Sequence, residues 1–596
     1  MRSLRAVNTY IARYKKLLFL GIFFVITSNI FGLYTPQLFR LAIDTVIENI
    51  YLYNIIKSYD NVSFFDSFQN VFFLFIGAMI LLTTVMRGVL MFFMRQTLIV
   101  MSRYVEYDLK NDLYQHYQVL SPSFYKRNNT GDLMARISED VSRVRMYVGP
   151  AIMYIINLIA MFAMVIYTMF SINAYLSFWV LMPLPILSLS IYKVSKVINK
   201  KSEQIQAALS ALTSKAQEVY SGIRIIHAFA RSKQVFKEFE DKADDYRQKA
   251  ISLNRVESYF QPLMLLMVGA STVLAIFIGG NEMSRGRFTA GNIAEFVYYI
   301  NMLTWPVASL GWAISLVQRA AASQTRINEF LNQVPDISSP QHPDYITQCN
   351  TITFQDCSLQ YPDTGIMAIE NMNFTIHKGQ KIAIVGKTGS GKSSLAEIIL
   401  RNYDVTKGNV LINDKNIKQL SLNNWRDCIG YVAQDVFLFS DTVSENIRFG
   451  RAQATSAEIE YFASIAEVHK DILQLAKGYN TVVGERGVML SGGQKQRISI
   501  ARALIREPQI LVMDDCLSAV DVNTETKILT NLFELFVNKT VLFITHKTFI
   551  AQQFDIIMLI DDGKLCEQGT HDELIALNGK YADLYLLQNT ENHHQV

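Results

Sequence analysis

The glycine-rich run of residues 386–393 holds the residue types that bind phosphate groups. It consists of Gly386, Lys387, Thr388, Gly389, Ser390, Gly391, Lys392 and Ser393, with Ser394 directly after it. Glycines let backbone N–H groups turn inward around a polyphosphate, while Lys392 can reach the terminal phosphates and Ser393 can hold Mg2+. The apolar run 381–385 predicts a strand before the loop, and residues 394–400 predict a helix after it. This order of elements predicts a nucleotide site.

Two further groups could complete such a site. Residues 510–513 form an apolar strand that ends at Asp514, which would place a carboxylate beside a phosphate-bound Mg2+. A polar turn, Ser491, Gly492, Gly493 and Gln494, opens a predicted helix over 495–504. Its N–H groups and hydroxyl can meet a second phosphate chain, although Ser491 would also serve as an ordinary helix cap.

The composition of the chain indicates that this nucleotide site belongs to a membrane protein. Half of the 596 residues are apolar (50%), and the mean hydropathy is +0.16, which is too apolar for an ordinary soluble protein. A basic N-terminus is followed by an apolar run without a cleavage site, so we expect a retained first helix. Six runs could each cross a hydrocarbon core of about 30 Å: 17–35, 71–94, 148–170, 174–195, 260–280 and 292–317.

Lys and Arg counts in the connecting segments predict the orientation. Residues 1–16 hold five, 95–147 hold eight and 193–259 hold thirteen. By contrast, 36–70 hold two, 171–173 none and 281–291 two. We therefore expect both termini and the two long connections in the cytoplasm.

The two long connections have amphipathic helical patterning, so the membrane helices should extend beyond the bilayer as paired rods. About 25 residues each way would reach roughly 35 Å into the cytosol. Pro and Gly interrupt the pattern near 121–125 and 221–224, where we expect turns at the tips. Ordinary solvated helical hairpins are the alternative.

A soluble domain is expected after a proline-rich linker. We predict a membrane domain over 1–322, a linker over 323–345 and an α/β domain over 346–596. The five cysteines fit neither a disulfide framework nor a zinc site, and the net charge of +4 decides nothing about nucleic acid. The β-rich runs of the α/β domain are 352–354, 372–376, 382–385, 410–412, 510–513, 541–544 and 556–559.

The order of the motifs resembles the nucleotide-binding domain of ABC transporters. The matching residues are Tyr361, 386–393, Gln434, 490–494, Asp514 and His546. Six preceding spans with long cytoplasmic connections resemble the exporter type, in particular half-transporters of the bacterial multidrug group. The resemblance covers essentially the whole chain. It implies a polytopic α-helical membrane domain of six transmembrane helices fused to an α/β P-loop ATPase domain.

The resemblance also implies roles for single residues, with ATP and Mg2+ as the cofactors. Tyr361 would stack on adenine, unless it is a core aromatic, and Gln434 would join Ser393 and Asp514 at the metal. The catalytic residues would be Asp515, His546 and Gln434, and His546 would contact the γ-phosphate. Two such domains would sandwich ATP between 386–393 of one and 491–494 of the other. The segment Ser518–Asp521 matches the loop that crosses to the opposite site. The segment Thr481–Gly487 matches one near the coupling helices.

One position departs from the family pattern. Most members follow the metal-binding Asp with Glu, which polarises the attacking water, whereas this chain has Asp515. An aspartate is shorter by one CH2, about 1.5 Å, which exceeds the tolerance for placing a reacting water. Among related exporters this resembles the degenerate half of a heterodimer, whose partner half-transporter supplies a Glu. A homodimer with a weaker base is the alternative.

The expected function is ATP-driven export of amphipathic small molecules, drug-like compounds or lipids, across a bacterial inner membrane. The alternatives are a homodimeric lipid or peptide exporter and an ATP-gated regulatory or channel-like protein. We expect membrane lipids as partners but no nucleic acid, because six spans exclude the soluble ABC proteins of translation or repair. Arg87, sixteen residues into the second span, either snorkels to the headgroups or faces the cavity. Pro183, Pro185 and Pro306 are expected to kink the fourth and sixth spans.

Overall fold

The computed structural model describes residues 2–56, 62–484, 487 and 489–593, which form two compact units. The first unit comprises Met1–His116 and Gly131–Gln333. The second comprises Tyr117–Thr130 and Val334–Val596, so only the tip of the connection between the second and third predicted spans belongs to it. The domain boundaries at 322 and 345 stay predictions.

Among its described residues, the first unit is built of helices alone. Short π-helical turns at Arg136–Asp140 and Tyr147–Ala151 join three of them into one rod. The helices of the membrane part, including the short tip helix that belongs to the second unit, are α1 (Val7–Arg13), α2 (Lys15–Ile56), α3 (Val62–Val119), α4 (Pro122–Arg127), α5 (Thr130–Ala135), α6 (Val141–Met146), α7 (Ile152–Ile172), α8 (Ala174–Leu181), α9 (Pro183–Ser221), α10 (Ile223–Ala228), α11 (Ser232–Ser258), α12 (Phe260–Ser284) and α13 (Ala290–Leu331).

Within the described residues, five helices are long and apolar enough to cross a membrane. They contain five of the six predicted runs: Lys15–Tyr51, Val71–Val119, Thr130–Ile172, Ser232–Ser284 and Ala290–Leu331. The fourth predicted run, 174–195, begins in a shorter apolar stretch, Ala174–Leu187. Helix α8 ends at Leu181 and α9 begins at Pro183, so the run is divided at one of the prolines that were expected to kink it.

The structure differs from the sequence prediction on the first external connection. Residues 36–70 were expected to connect two spans, yet α2 continues to Ile56 and α3 starts at Val62. Pro36 lies inside α2 without ending it. Residues 57–61 of this connection lie outside the described residues. Helices α2 and α3 therefore extend through most of this predicted connecting segment.

The rods and their tips lie where the pattern predicts them. Helix α3 has 58 residues, which at 1.5 Å per residue far exceeds a core of about 30 Å. It ends just before Ser121, and α4 follows as a single short turn of helix. At the other tip, Gly222 ends α9 and α10 follows.

Two sheets form the core of the second unit. Four antiparallel strands have the order β2-β1-β4-β5, and six strands have the order β10-β9-β3-β8-β7-β6. The strands are β1 (Thr351–Gln360), β2 (Met367–His377), β3 (Lys381–Val385), β4 (Lys407–Ile412), β5 (Lys415–Asn416), β6 (Ile429–Val432), β7 (Ile510–Asp514), β8 (Thr540–Thr545), β9 (Ile556–Asp561) and β10 (Lys564–Gly569). All seven predicted runs lie in strands, whereas β5, β6 and β10 were not predicted.

Helices complete this α/β unit. They are α14 (Lys392–Ile399), α15 (Leu422–Asp427), α16 (Val443–Arg448), α17 (Ser456–Ile465), α18 (His469–Leu473), α19 (Gly492–Leu504), α20 (Val522–Leu535), α21 (Thr548–Ala551), α22 (His571–Ala576) and α23 (Lys580–His593). Every residue of β7 and β8 is buried, as expected for strands in the middle of a sheet covered on both faces.

Candidate nucleotide-binding site

Parallel pairing brings the predicted site residues to one edge of the six-stranded sheet. Strand β8 pairs in parallel with β3 and β7, matching Thr545 with Val385 and Ile544 with Asp514. Strand β6 pairs in parallel with β7. Since the carboxyl ends of parallel strands meet at one edge, the segments that follow all four strands converge there. These segments begin with Gly386, Ala433, Asp515 and His546.

Residues 386–393, here called the phosphate loop, require glycine at two positions of close approach. Gly386 has φ +156° and Gly391 has φ +99°. A Cβ on Gly386 would lie 2.1 Å from the Ile560 carbonyl oxygen, and one on Gly391 would lie 2.3 Å from that of Ala368. No other residue fits these positions. Lys387, Thr388 and Gly389 lie exposed at the tip of the loop, ahead of α14.

Lys392 folds back over the phosphate loop. Its Nζ donates to the carbonyl oxygens of Gly386 at 2.8 Å and Lys387 at 2.6 Å, and Ser390 Oγ lies at 3.5 Å. Burial lowers the pKa of the amine, and the nearby carboxylates oppose that shift. The ammonium thus lies over the loop, and its contact with the β and γ phosphates stays a prediction of the motif.

Ser393 and Asp514 form a pair of oxygen ligands. Ser393 Oγ donates to Asp514 Oδ1 at 3.1 Å. Asp514 is only 4% exposed, and burial raises its pKa while the bond from Ser393 opposes the rise. A divalent cation beside it would favour the charged form. Gln434, exposed two residues after β6, lies on the same sheet edge.

The donor set of this pair fits Mg2+. In the part of the chain that the structure describes, no group of three His, Cys, Asp or Glu could hold a metal by itself. Mg2+ is usually bound by one or two protein ligands, with water and substrate phosphates filling the other positions. Ser393 and Asp514, with Gln434 as the third predicted ligand, therefore suit a metal that arrives with the nucleotide.

Asp515 and His546 contact each other beside the pair of ligands. Asp515 Oδ1 lies 3.1 Å from His546 Nδ1. The Asp515 backbone has φ +42°, and its N–H donates to the Ile544 carbonyl oxygen at 2.9 Å. This hydrogen bond to β8 therefore fixes the backbone position from which the short Asp515 side chain extends. The carboxylate reaches the histidine of its own chain.

Residues 491–494, here called the signature turn, form a complete helix cap. Ser491 Oγ accepts from the Gln494 N–H, and Gln494 Oε1 accepts from the Ser491 N–H at 3.0 Å. A Cβ on Gly493 would lie 2.8 Å from the Ala519 carbonyl oxygen. The loop that holds Ala519 thus packs on this glycine, and Gln496 binds the same loop through Ser518. Ser491 and Gly492 remain exposed at the start of α19.

Tyr361 is anchored to the helix of the phosphate loop. Its hydroxyl donates to Ser394 Oγ at 2.9 Å, so this serine contacts the tyrosine. The Tyr403 ring meets it edge-on at a centroid distance of 5.0 Å. Lys126 Nζ lies 5.4 Å from the Tyr361 ring centroid, and a cavity of about 570 Å³ opens beside these residues. The ring is half-buried and lines this cavity, and its stacking on adenine stays a prediction.

Several residues at this edge escaped the sequence analysis. Gln588 on α23 binds the segment around His546, and Lys547 pairs with the buried Glu525 at 3.0 Å. They belong to no motif, so only the structure brings them to the site. Of the predicted segment Thr481–Gly487, Glu485 and Arg486 lie outside the described residues.

Comparison with known families gives matches for both parts of the chain. Residues 18–307 match the model described as the ABC transporter transmembrane region, and residues 369–518 match the model described as ABC transporter. A solved structure titled "Structure of a bacterial Atm1-family ABC exporter with ATP bound" shares the fold, with a TM-score of 0.79. At 22% identity the alignment covers 97% of this chain and 99% of that one.

Two bacterial relatives are similar to this chain along most of its length. The probable multidrug resistance ABC transporter ATP-binding/permease protein YheI of Bacillus subtilis is 37% identical over 513 residues, 86% of this chain and 87% of that protein. The multidrug resistance-like ATP-binding protein MdlA of Escherichia coli is 37% identical over 485 residues, 81% of this chain and 82% of that protein. The predicted fold, a polytopic membrane domain fused to a P-loop ATPase domain, is confirmed.

Proposed function

Since the chain belongs to the ABC transporter family and joins an exporter-type membrane domain to its ATPase domain, we propose that it is the slow-hydrolysing half of a heterodimeric exporter. It is an integral membrane protein and a transporter ATPase of the ABC type. The proposal depends on one observation, the aspartate at position 515 where the family's usual pattern has glutamate.

The binding part of the site is complete. Lys392 would transfer its hydrogen bonds from the loop carbonyls to the terminal phosphates, and Tyr361 would stack on the base. Ser393, Asp514 and Gln434 would hold Mg2+, which neutralises charge on the phosphate oxygens when bound. The glycines keep the loop open to backbone N–H contacts. ATP is therefore bound at this site whether or not it is hydrolysed there.

The hydrolytic part is short by one CH2. A base must lie within hydrogen-bond reach of the water that attacks the γ-phosphate. Asp515 starts from a backbone fixed by the bond to Ile544, and its carboxylate already lies 3.1 Å from His546 Nδ1. A shift of about 1 Å at such a group can cost roughly a hundredfold in rate. Hydrolysis at this site is slow for that reason.

A partner half-transporter supplies what one chain lacks. Ser491 and Gly492 are exposed, as a surface that meets the nucleotide of a second chain must be. The tip around α10 is also apolar and exposed: Tyr220 is 76%, Ile225 65% and Phe229 73% exposed. Exposed apolar tips of this kind favour docking to another protein over a free hairpin in water. A partner with Glu after its metal Asp would complete one productive site.

Amphipathic small molecules, drug-like compounds or lipids, are the substrates that suit the membrane domain. The names of YheI and MdlA include multidrug resistance, and this supports the same substrate class for the present chain. Within the spans, Gly32 on α2 leaves room for Arg87, whose Cζ would lie 3.2 Å from a Cβ there. Arg87 Nε is buried without a hydrogen-bond partner in the described part of the chain. Of the two predicted placements of Arg87, the one that faces the cavity would favour anionic amphiphiles.

The direction of transport is outward across the bacterial inner membrane. The Lys and Arg counts of the connections support a cytoplasmic ATPase domain, so substrate would enter from the cytosol or the inner leaflet. Inside-out vesicles should accumulate substrate when given external ATP. Accumulation only in right-side-out vesicles would reverse the assignment.

The retained nucleotide tests the proposal directly. The assembled transporter is given ATP labelled in both the base and the γ-phosphate, passed through several turnovers, and washed. The nucleotide recovered from the Lys392 site should be intact ATP, and Lys392→Ala should remove it. Recovery of ADP at the rate of turnover would favour the second candidate, a homodimer in which Asp515 acts as the base.

A further inference from the structure

The C-terminal helix α23 contacts the segment that carries His546. Gln588 Nε2 donates to the His546 carbonyl oxygen at 2.7 Å. Gln588 Oε1 accepts from both the N–H and the hydroxyl of Thr548, each at 2.8 Å. One side-chain amide therefore makes three hydrogen bonds across a segment of three residues.

Helix α23 is itself fixed at its start. Glu567 of β10 accepts from the N–H groups of Lys580 and Tyr581 at 2.7 and 3.1 Å. Lys580 Nζ also pairs with Asp561 at 2.6 Å. The Tyr581 side chain is fully buried. Gln588, two turns further on, thus extends from a helix that is anchored to the sheet.

The opposite side of the segment is held as well. Lys547 Nζ pairs with Glu525 Oε2 at 3.0 Å, and the Glu525 side chain is only 2% exposed. Glu525 lies in the first turn of α20, the helix that follows Ser518–Asp521. With these backbone and side-chain bonds in place, the imidazole of His546 is left to face Asp515.

We propose that Gln588 is a positioning residue for His546, holding the 546–548 segment so that the imidazole stays at the γ-phosphate side of Asp515. This inference rests on the proposed role of His546 at the nucleotide. Gln588 touches neither nucleotide nor metal, and it acts only through the backbone of His546 and Thr548. The C-terminal helix is then part of the nucleotide site.

A double-mutant cycle on the assembled, full-length transporter tests the proposal. The observable is the time for which ATP stays at the Lys392 site after washing. Gln588→Ala should shorten it about tenfold, the scale of losing bonds that orient a polar group. In a His546→Ala background, Gln588→Ala should cause no further change, because coupled residues are not additive. Equal losses in both backgrounds would overturn the proposal.

Two further variants separate positioning from general stability. Gln588→Glu keeps the bonds to Thr548 but cannot donate to the His546 carbonyl, so it should behave like Gln588→Ala and carries the test if that variant does not assemble. Gln553→Ala removes an exposed glutamine two residues beyond α21 and should change nothing. A Gln588→Glu variant with wild-type retention would contradict the proposal.

The outcome is distinguishable from a failure of the proposed function. If the wild-type site releases ADP at the rate of turnover, the slow-site proposal is wrong. The same five variants, including the Gln588→Ala, His546→Ala double variant, are then compared by kcat and KM, and a positioning role predicts a loss in kcat with KM unchanged. Additive effects in that measurement would overturn the role of Gln588 independently.

Discussion

The phosphate loop and the Asp515–His546 pair lie at the same sheet edge but differ in the number of groups that share their task. The loop offers backbone N–H groups, two glycines that no other residue can replace and the ammonium of Lys392. The pair offers one short carboxylate and one imidazole, 3.1 Å apart. Many groups share the binding of the phosphates, whereas the position of the attacking water depends on a single carboxylate. The difference teaches that a site can bind ATP well and hydrolyse it slowly.

The largest expected effect tests the binding side of this comparison. Lys392→Ala should weaken ATP binding at this chain's own site by about a hundredfold or more, since it removes a charged donor from the phosphates. Labelling with a photoreactive ATP analogue measures it. Lys418→Ala, which removes an exposed ammonium outside the phosphate loop, is the matched control and should change labelling little. Unchanged labelling of Lys392→Ala would remove the assigned role.

The signature turn should matter at the partner's site. Ser491→Ala should lower steady-state hydrolysis by the assembled heterodimer about a hundredfold, because it removes a contact that orients the γ-phosphate. Thr570→Ala is the matched control, since Thr570 caps α22 with the same reciprocal bonds. A cap alone contributes about 1 kcal/mol of stability. If both variants lose only stability, Ser491 is merely a cap.

Tyr361 should give an intermediate effect that divides stacking from anchoring. Tyr361→Ala should weaken ATP binding about tenfold, as expected for loss of a stacked base. Tyr361→Phe keeps the ring and loses only the bond to Ser394, so it should change affinity by less than about threefold. Titration of each variant with a fluorescent ATP analogue distinguishes them. Equal losses in the two variants would show that the hydroxyl, and not the ring, is important.

The smallest effect is expected at Asp515 itself. Asp515→Asn in the assembled heterodimer should leave hydrolysis within about twofold of wild type, because turnover runs on the partner's Glu. Steady-state phosphate release measures this rate. A large loss would show that the Asp515 site contributes productively.

Much of the fold could be predicted because its signals are local. Strands β3, β7 and β8 contain continuous apolar runs that are buried in the sheet, and such runs are plain in the sequence. Strand β10 was missed because its side chains alternate between exposed and half-buried at the sheet edge. Strand β6 was missed because it has four residues and includes Gly430. Short and polar strands depend on pairing partners that sequence patterns do not contain.

The candidate site divides in the same way. Gly386–Ser393 and Asp514 are recognisable because the chemistry demands fixed residue types at fixed spacing. Gln588 and Tyr403 are not, since a glutamine in a polar helix and a tyrosine in a loop fit many surroundings. Their roles arise from packing between elements far apart in sequence, 40 residues in the case of Thr548 and Gln588. Such positioning contacts become visible only in the folded chain.

ATP hydrolysis by the purified full-length chain alone, reconstituted in lipid, tests the central claim most directly. Asp515→Asn and Asp515→Glu are measured beside the wild type. The slow-site account predicts weak hydrolysis by the wild type, no further loss with Asn, and a gain of about tenfold with Glu, whose extra CH2 extends the carboxylate toward the water. Vigorous hydrolysis by the wild-type chain that Asp515→Asn abolishes would contradict the account and identify a homodimer with Asp515 as its base.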